Sequence, residues 1–338
     1  MSEQRGERSK GRGLERWEGS PLSKAQEKRL KAFLKESGKR VVAGEPPLFL
    51  PSEKIGVGRP LRLREDGEVE LILDVDRPWA MGRYRAVLRA FELFSGRMVA
   101  IHAISLTGEE LKRRVEKEIF YSEKLRGVPG IVQTYRVFRY VDAEGVEMAE
   151  LVREFYDLGP LWPRLLGGGL VQADKKRIAS SLFSGIRSLH REGLLHQDLK
   201  PSNILLKSGL QGGVEATIGD LEAVFPLEGG GEISATPLFL PPEIWNGRLE
   251  RLSEREMCSL YTEKAELWAF GCLLFQLYAS PFLPWHGLIR QKSHFLDFSD
   301  REIEAILEAM RSWSLSLPRG EPFSPLLRTE PSKRDFFY

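Results

Sequence analysis

The stretch LLHQDLKPSNILL, residues 194–206, places a cluster of polar side chains between two apolar runs. The acid, base and amide of this cluster stand at fixed spacing, in a segment whose flanks should be buried. Those three residues are Asp198, Lys200 and Asn203. Such a spacing in a loop between a helix and a strand lets three side chains converge on one point. The alternative is a polar turn in which Asp and Asn act as caps, which Pro201 and Ser202 would suit.

The three side chains together suggest transfer chemistry. A carboxylate can accept a hydroxyl proton, an ammonium group can neutralise a transferring phosphoryl group, and an amide oxygen can ligate Mg²⁺. This reading depends on neighbouring segments that supply the remaining parts of such a site.

Composition places the chain among globular proteins. Its 338 residues suit two domains or one bilobal unit, and the 42% hydrophobic and 29% charged fractions exclude wholesale disorder. No run of about 18 apolar residues exists, so we expect no transmembrane helix. The first thirty residues contain no apolar centre of a signal peptide. Cys258 and Cys272 are too few for a disulfide scaffold, and their spacing fits no metal motif.

Charge is distributed unevenly along the chain. Residues 1–44 contain twelve Lys/Arg and six Asp/Glu, whereas the rest contains 38 and 42. A basic arm of this kind can bind an anionic membrane, be solvated, or pack on the body. Aromatic residues do not alternate with the basic ones, so we expect no nucleic-acid binding.

The pattern along the chain predicts an extension, a β-rich part and an α-rich part. A basic extension covers 1–45 and contains an amphipathic helix at about 20–38. The β-rich part covers 46–155 and the α-rich part 156–338. We expect a five-stranded antiparallel sheet with one helix at 108–126, followed by amphipathic or buried helices at 173–191, 265–278 and 300–312. Strand candidates are 60–64, 69–75, 83–93, 97–105, 131–140 and 147–154.

The octapeptide HQDLKPSN, residues 196–203, resembles the catalytic loop HxDLKPxN of eukaryotic protein kinases, on the serine/threonine branch. The resemblance implies an α+β, bilobal protein-kinase-like fold that uses ATP and Mg²⁺. It also implies that Asp198 orients or deprotonates the acceptor hydroxyl, that Lys200 contacts the γ-phosphate, and that Asn203 holds a metal ion.

Three later segments extend the resemblance. In IGDLEA, Asp220 matches the family's metal-binding Asp-Phe-Gly aspartate, although Leu-Glu replaces Phe-Gly. In ATPLFLPPE, Thr236 would brace Asp198, and Glu243 would pair with a basic residue for which Arg319 is the candidate. In KAELWAFG, Glu266 replaces the aspartate that holds the catalytic-loop backbone.

The first half departs further from the family pattern. His102 stands where the family has the strand lysine, and Glu118 is the candidate partner on the inserted helix. A His102–Glu118 contact would raise the pKa of the imidazole. The segment AMGRYRAVLRA retains only Gly82 of the three loop glycines.

The nucleotide side of the first half has three further candidates. Glu154 and Tyr156 would lie in the hinge that binds adenine, and Arg153 would be the gatekeeper. Arg85 stands at the third-glycine position, from which with-no-lysine kinases supply their cation. Because arginine is always charged and bidentate toward phosphate, Arg85 is the candidate replacement for the lysine. The alternative is a surface arginine on an exposed strand.

Several features together resemble the rhoptry kinases of apicomplexan parasites: the basic amphipathic extension, PPLFLP, KLRGV and the run ELWAFGCLLFQLYASPFLPW. This resemblance implies secretion from the rhoptry into the host cell or vacuole, a protein substrate or host protein partner, and membrane association of the basic arm. We expect a monomer. Gln197 replaces the arginine that reads activation-loop phosphate, so loop phosphorylation should not be the switch.

Two functions remain open at this point. The first is an active serine/threonine kinase. The second is a pseudokinase that acts as a binding module or scaffold, which His102, the reduced glycine loop, Glu222 and Arg153 favour.

Overall fold

The chain forms two compact units, and the sequence passes between them three times. The computed structural model describes residues 61–335 except 64–68, 75–79, 82–84, 93–96, 142–144, 210–211, 228–231, 290–291 and 293. The first unit runs through Ile119 and resumes over Gln133–Phe155; the second comprises Phe120–Val132 and the chain from Tyr156 onward. The basic arm, its predicted helix at 20–38 and Gly82 lie outside the described residues.

The first unit is built on an antiparallel sheet. Its strands are β1 (Leu61–Leu63), β2 (Val69–Asp74), β3 (Ala80–Met81), β4 (Arg85–Glu92), β5 (Arg97–Ser105), β6 (Thr134–Val141) and β7 (Glu147–Glu154). They lie in the order β1-β2-β4-β5-β7-β6, and β3 pairs with β4. Helix α1 (Glu109–Lys124) follows β5. Within the described residues the sheet has seven strands rather than five. Six of them correspond to the predicted strand candidates, β1 among them, and the two-residue β3 was not predicted.

Alternation along the strands decides which side chains face helix α1. On β5, Val99 and Ile101 pack with Val152 on one face of the sheet. Ile104 packs on the other face with Val115 and Ile119 of α1. Since successive strand residues point to opposite faces, His102 shares the face of Ile104.

The second unit is mainly helical. Its helices are α2 (Leu161–Gly167), α3 (Gln172–Arg191), α4 (Pro242–Leu249), α5 (Glu254–Leu260), α6 (Glu263–Tyr278), α7 (His286–Ile289) and α8 (Asp300–Ser316). Its short strands are β8 (Gly159–Pro160), β9 (Leu194–Leu195), β10 (Ile204–Ser208), β11 (Val214–Ile218) and β12 (Phe225–Pro226). The helices predicted at 173–191, 265–278 and 300–312 are α3, α6 and α8.

Helices α3 and α6 form the centre of this unit. The predicted stripe of α3 is buried as Ile178, Leu182, Ile186 and Leu189. Each such side chain contributes roughly 1.5–3 kcal/mol relative to an exposed one. Helix α6 is buried on nearly all sides, as its apolar sequence predicts. The segment before Asp198, which includes the buried Leu194 and Leu195, is therefore packed in this core.

A close backbone approach positions strand β11. The Ile218 amide donates to the Gly130 carbonyl over 2.9 Å, and the Val132 amide donates to the Ile218 carbonyl over 2.8 Å. A Cβ at Gly185 of α3 would lie only 2.9 Å from the Gly130 oxygen. Glycine at 185 thus lets β11 end next to the helix core, two residues before Asp220.

Glu243 forms its ion pair with Arg334, so the prediction of Arg319 is wrong. Arg334 is fully buried, and its two terminal nitrogens donate to the Glu243 carboxylate over 2.6 and 2.7 Å. Arg334 also donates to the Lys264 carbonyl and lies over the Trp268 ring. The sequence offered several basic residues after α8, and only the path of the chain selects one.

Across the described part of the chain, no helix is both long enough and apolar enough to cross a membrane.

Candidate active site

The loop between β9 and β10 and the later segment that contains Thr236 bring four polar side chains together. Lys200 Nζ donates to Asp198 Oδ2 over 2.6 Å and to Thr236 Oγ1 over 2.8 Å. The Thr236 hydroxyl and amide both donate to Asp198 Oδ1, over 2.6 and 3.0 Å. Asn203 Nδ2 donates to the Asp198 carbonyl over 2.9 Å and to Asp198 Oδ2 over 3.1 Å. Asp198 is therefore the centre of a hydrogen-bonded network.

This network keeps Asp198 ionised. Burial would raise the pKa of Asp198, but the charge and hydrogen bond of Lys200, with the hydrogen bond of Thr236, outweigh it. The pKa of Asp198 consequently lies below its usual value. At neutral pH the side chain is a carboxylate that can accept a hydrogen bond from a hydroxyl group.

Glu266 of α6 holds the loop backbone from below. Its Oε1 accepts hydrogen bonds from the amides of His196 and Gln197. Its Oε2 lies 2.6 Å from His190 Nε2. The extra methylene relative to aspartate is accommodated, because Glu266 is fully buried with both oxygens bonded.

Gln197 connects the loop to the segment that contains Thr236. Its Oε1 accepts a hydrogen bond from the Ser234 amide over 3.1 Å, and the Tyr261 hydroxyl donates to its carbonyl over 2.8 Å. Gln197 has φ 65°, in the left-handed region that non-glycine residues rarely occupy. The sequence did not indicate the Tyr261 contact, since nothing marks a distant tyrosine as a backbone donor.

Asn203 and Asp220 are brought to one place by backbone bonding. The Gly219 amide donates to the Asn203 carbonyl over 2.7 Å. Asp220 follows at once with φ 61°, a strained conformation of the kind that concentrates at functional sites. Because Asn203 uses its Nδ2 on Asp198, its amide oxygen is the atom left for a cation. A carboxylate and an amide oxygen are ligands that fit Mg²⁺.

In the first unit, two arginines surround one buried carboxylate on helix α1. Arg85 Nη2 of β4 lies 2.5 Å from Glu118 Oε2, and Arg153 Nη2 of β7 lies 2.8 Å from Glu118 Oε1. Glu118 is fully buried. Burial would raise its pKa, but the charges of Arg153 and Arg85 lower it to about 2. The sequence prediction had identified Arg85 and Glu118, but not the Arg153 contact.

His102 does not pair with Glu118, and the expected rise in its pKa is wrong. Burial lowers the pKa of His102 well below its usual value, and the charges of Arg153 and Arg85 lower it further. Glu118 acts in the opposite direction but is outweighed. Within the described residues His102 Nδ1 is buried without a hydrogen-bond partner. The ring is therefore neutral at physiological pH.

The two hinge candidates lie in different units. Glu154 ends β7, where its amide donates to the Gln133 carbonyl over 3.1 Å. Tyr156 is the first residue of the longer stretch of the second unit and is buried in the core of that unit. Gly82 lies outside the described residues.

The chain matches the protein kinase domain family over residues 79–334, which is more than half of its length. It belongs to the protein kinase domain family. The antiparallel sheet of the first unit and the helices of the second are the α+β arrangement that the resemblance implied.

Known relatives of this kinase domain are of modest identity. Serine/threonine-protein kinase cds1 of Schizosaccharomyces pombe is 27% identical over 215 residues, which cover 60% of this chain and 43% of that protein. Mitogen-activated protein kinase kinase kinase 20 of Arabidopsis thaliana is 29% identical over 211 residues, 60% and 56% of the two chains. Calcium-dependent protein kinase 5 of Plasmodium falciparum is 24% identical over 229 residues, 67% and 37%. The chain spans less than two thirds of each of these relatives.

Proposed function

We propose that this kinase domain is an active serine/threonine kinase that transfers the γ-phosphoryl group of Mg-ATP to protein hydroxyls. The observation that carries the proposal is the Asp198 network, in which one carboxylate is bonded to Lys200, Thr236 and Asn203. Phosphoryl transfer needs mainly positioning and charge neutralisation, and these groups supply both.

Each residue has a defined task in this proposal. Asp198, ionised at neutral pH, accepts the hydrogen bond of the attacking hydroxyl and aligns its oxygen. Lys200 neutralises charge on the transferring group while Thr236 fixes both side chains. Asn203 and Asp220 would hold Mg²⁺, and the bound ion would neutralise phosphate charge.

Arg85 replaces the strand lysine as the cation for the ATP phosphates. The support is that Arg85, on β4, forms an ion pair with Glu118. In the family, the strand lysine contacts the corresponding glutamate of the helix. His102 cannot serve, because its lowered pKa keeps the ring neutral. Arg85 is partly exposed, with 27% of its side-chain surface accessible, so it can reach a bound anion. Glu154 and Tyr156 would bind adenine.

The segment after Asp220 is held without a phosphate in this proposal. Gln197 accepts a hydrogen bond directly from the Ser234 amide, two residues before Thr236. An arginine at position 197 would instead need a phosphate on this segment to bind. We therefore expect activity that does not depend on phosphorylation of this segment.

The second candidate is a pseudokinase that binds a protein partner. The observation that favours it is the neutral His102 at the lysine position. Phosphate incorporation separates the two candidates.

The narrower family resemblance leads to a proposal about location. The support is the resemblance of the basic extension and of the run ELWAFGCLLFQLYASPFLPW to rhoptry kinases. On that basis we propose secretion into a host cell or vacuole, a host protein as substrate or partner, and membrane association of the basic arm. We further propose that the protein acts as a monomer.

The decisive experiment measures transfer of labelled phosphate from Mg-ATP to a generic basic protein substrate, with Asp198→Ala as the comparison. We expect incorporation that falls about 10²–10⁴-fold in the variant. Equal incorporation by both proteins, or none at high enzyme concentration with Mg²⁺ or Mn²⁺, would overturn the kinase proposal in favour of the scaffold.

The Arg85 assignment has its own comparison. Arg85→Met should raise the KM for ATP strongly, whereas His102→Gln should change it little. Equal losses from both variants, or a loss only from His102→Gln, would refute the role of Arg85.

A further inference from the structure

Two cations share one carboxylate in the buried cluster of the first unit, which comprises Arg85, Glu118 and Arg153. Both carboxylate oxygens of Glu118 are occupied, Oε2 by Arg85 and Oε1 by Arg153. Two cations therefore pair with the one carboxylate of Glu118.

The two arginines differ in burial and anchoring. The Arg153 side chain is 2% exposed, and its Nε donates to the buried Thr134 hydroxyl over 3.1 Å. Arg85 is 27% exposed. Arg153 is thus held inside the unit from two sides, whereas Arg85 approaches the same carboxylate from its accessible side.

Strand register places both arginines on the face toward α1. Arg85 is paired with Ile104 across β4 and β5, and Ala100 is paired with Arg153 across β5 and β7. Cross-strand partners lie on the same face, and Ile104 faces α1. Because Ala100, His102 and Ile104 alternate onto that face, His102 lies between the two arginines.

We infer that Arg153 is a positioning residue that keeps Glu118 ionised and in place, so that Arg85 can turn to the ATP phosphates. This inference rests on the proposed binding of Mg-ATP and assigns a second part to the same site. A single strand cation would have to serve the glutamate and the phosphates together. Here the two tasks are divided between two arginines.

Electrostatics explains why the division needs Arg153. A fully buried carboxylate that loses its only cation is left without compensation, which is strongly unfavourable. With Arg153 absent, Glu118 would retain Arg85 and compete with the phosphates for it. With Arg153 present, the departure of Arg85 leaves a paired carboxylate. The same two charges disfavour a third cation at 102, where the neutral histidine stands.

The test is a double-mutant cycle on equilibrium binding of Mg-ATP, measured by titration calorimetry of the full chain. Arg153→Met should weaken binding about 5- to 150-fold, the usual range of coupling between sites. Adding Glu118→Gln to Arg153→Met should restore binding, because Arg85 is then no longer retained. Arg153→Lys, which preserves the charge, should retain most of the affinity.

A matched control exists on the same helix. Arg139 of β6 pairs with Glu116 of α1 over 2.5 Å, but both side chains are about half exposed. Arg139→Met and its combination with Glu116→Gln should leave Mg-ATP affinity unchanged. If Arg153→Met does not fold, the comparison is between Glu118→Gln and the double variant Glu118→Gln/Arg153→Met. These two proteins should bind Mg-ATP with the same affinity.

Two results would overturn the inference. The first is Arg153→Met binding as the wild type does. The second is a double variant that binds no better than Arg153→Met, which would give Arg153 a merely structural role. A wild type without Mg-ATP affinity would also refute it. Binding without phosphate transfer would refute only the kinase proposal, so the two failures are distinguishable.

Discussion

The Asp198 network of the second unit and the Glu118 cluster of the first each hold a carboxylate ionised, but by different means. Asp198 has one cation, Lys200, supplemented by Thr236 and Asn203. Glu118 has two cations and is fully buried. The residue types at the first site follow the family pattern. At the second site histidine stands at the lysine position and arginine at the third-glycine position. What the two sites share is compensation of a buried charge rather than the identity of the residue that supplies it.

The largest effect should come from Lys200→Met, which leaves Asp198 without its cation. We expect kcat to fall about 10²–10³-fold, since charge neutralisation at the transferring group is lost. The pKa of Asp198 should rise toward its usual value, so the acidic limb of the pH–rate profile should move to higher pH. Steady-state kinetics from pH 4.5 to 8 measure both.

The control for Lys200→Met is Lys207→Met. Lys207 lies on the nearby strand β10 and pairs with Glu215 over 3.2 Å, with half of the glutamate exposed. This variant should retain wild-type kinetics. A fall of similar size in both variants would mean that Lys200 has no special role.

The next largest effect should be a loss of stability on removal of Glu266, which stands where the family has aspartate. Glu266→Ala removes the acceptor of two buried amides, those of His196 and Gln197, at roughly 1–3 kcal/mol for each unsatisfied group. Chemical denaturation should show the loss. Glu266→Asp, the family residue, should lose less than Glu266→Ala, because a carboxylate remains. Equal losses from the two would contradict the backbone-anchor role.

Restoring the family lysine should be unfavourable in this context. His102→Lys places a third cation beside Arg85 and Arg153, so we expect a loss of roughly 1–3 kcal/mol in unfolding free energy. His102→Gln, a neutral control, should lose less. Combining His102→Lys with Arg153→Met should recover stability, because the charge count then returns to that of the natural cluster. Thermal and urea unfolding measure the stability of each variant. A double variant no more stable than His102→Lys would contradict the charge argument.

The smallest effect concerns His190, which touches the buried Glu266. Burial lowers the pKa of His190, but the hydrogen bond and charge of Glu266 outweigh this and raise it. The protonated ring therefore stabilises the fold fully below its ordinary pKa of about 6.5, and this contribution is lost as pH rises through the raised value.

His190→Gln should remove this pH dependence, with a loss of about 1 kcal/mol at low pH from the hydrogen bond. Unfolding free energies measured at pH 5.5, 7 and 8.5 would test it. Glu263→Gln is the control, because Glu263 is partly exposed and 3.9 Å from the ring. An unchanged pH profile in His190→Gln would show that the histidine is not the titrating group.

Local pattern was sufficient for much of the fold. The apolar spacing over 173–191 and the nearly all-apolar run 265–278 predicted the helices α3 and α6, which the structure buries. The octapeptide at 196–203 indicated the loop, because its spacing is read directly from neighbouring residues. The two-residue strand β3 was not predicted, since two residues show no period of alternation.

Long-range partners were beyond the sequence. Arg334, rather than Arg319, forms the ion pair with Glu243. Arg153 pairs with Glu118, whereas the sequence suggested only that Arg153 is the gatekeeper residue. Many arginines are equivalent in sequence, and the path of the chain decides which one approaches a given carboxylate.

The motifs of the sequence were enough to predict the kinase family and the grouping of polar residues around Asp198, and they show the absence of a lysine at position 102. The tertiary structure adds which cations pair with Glu118 in the absence of that lysine. Strand register sets Arg85, His102 and Arg153 on the face toward α1, where the energy of burying Glu118 depends on the total charge around it. That total charge depends on the tertiary structure, because it includes side chains of β4, β7 and α1 that are far apart along the chain.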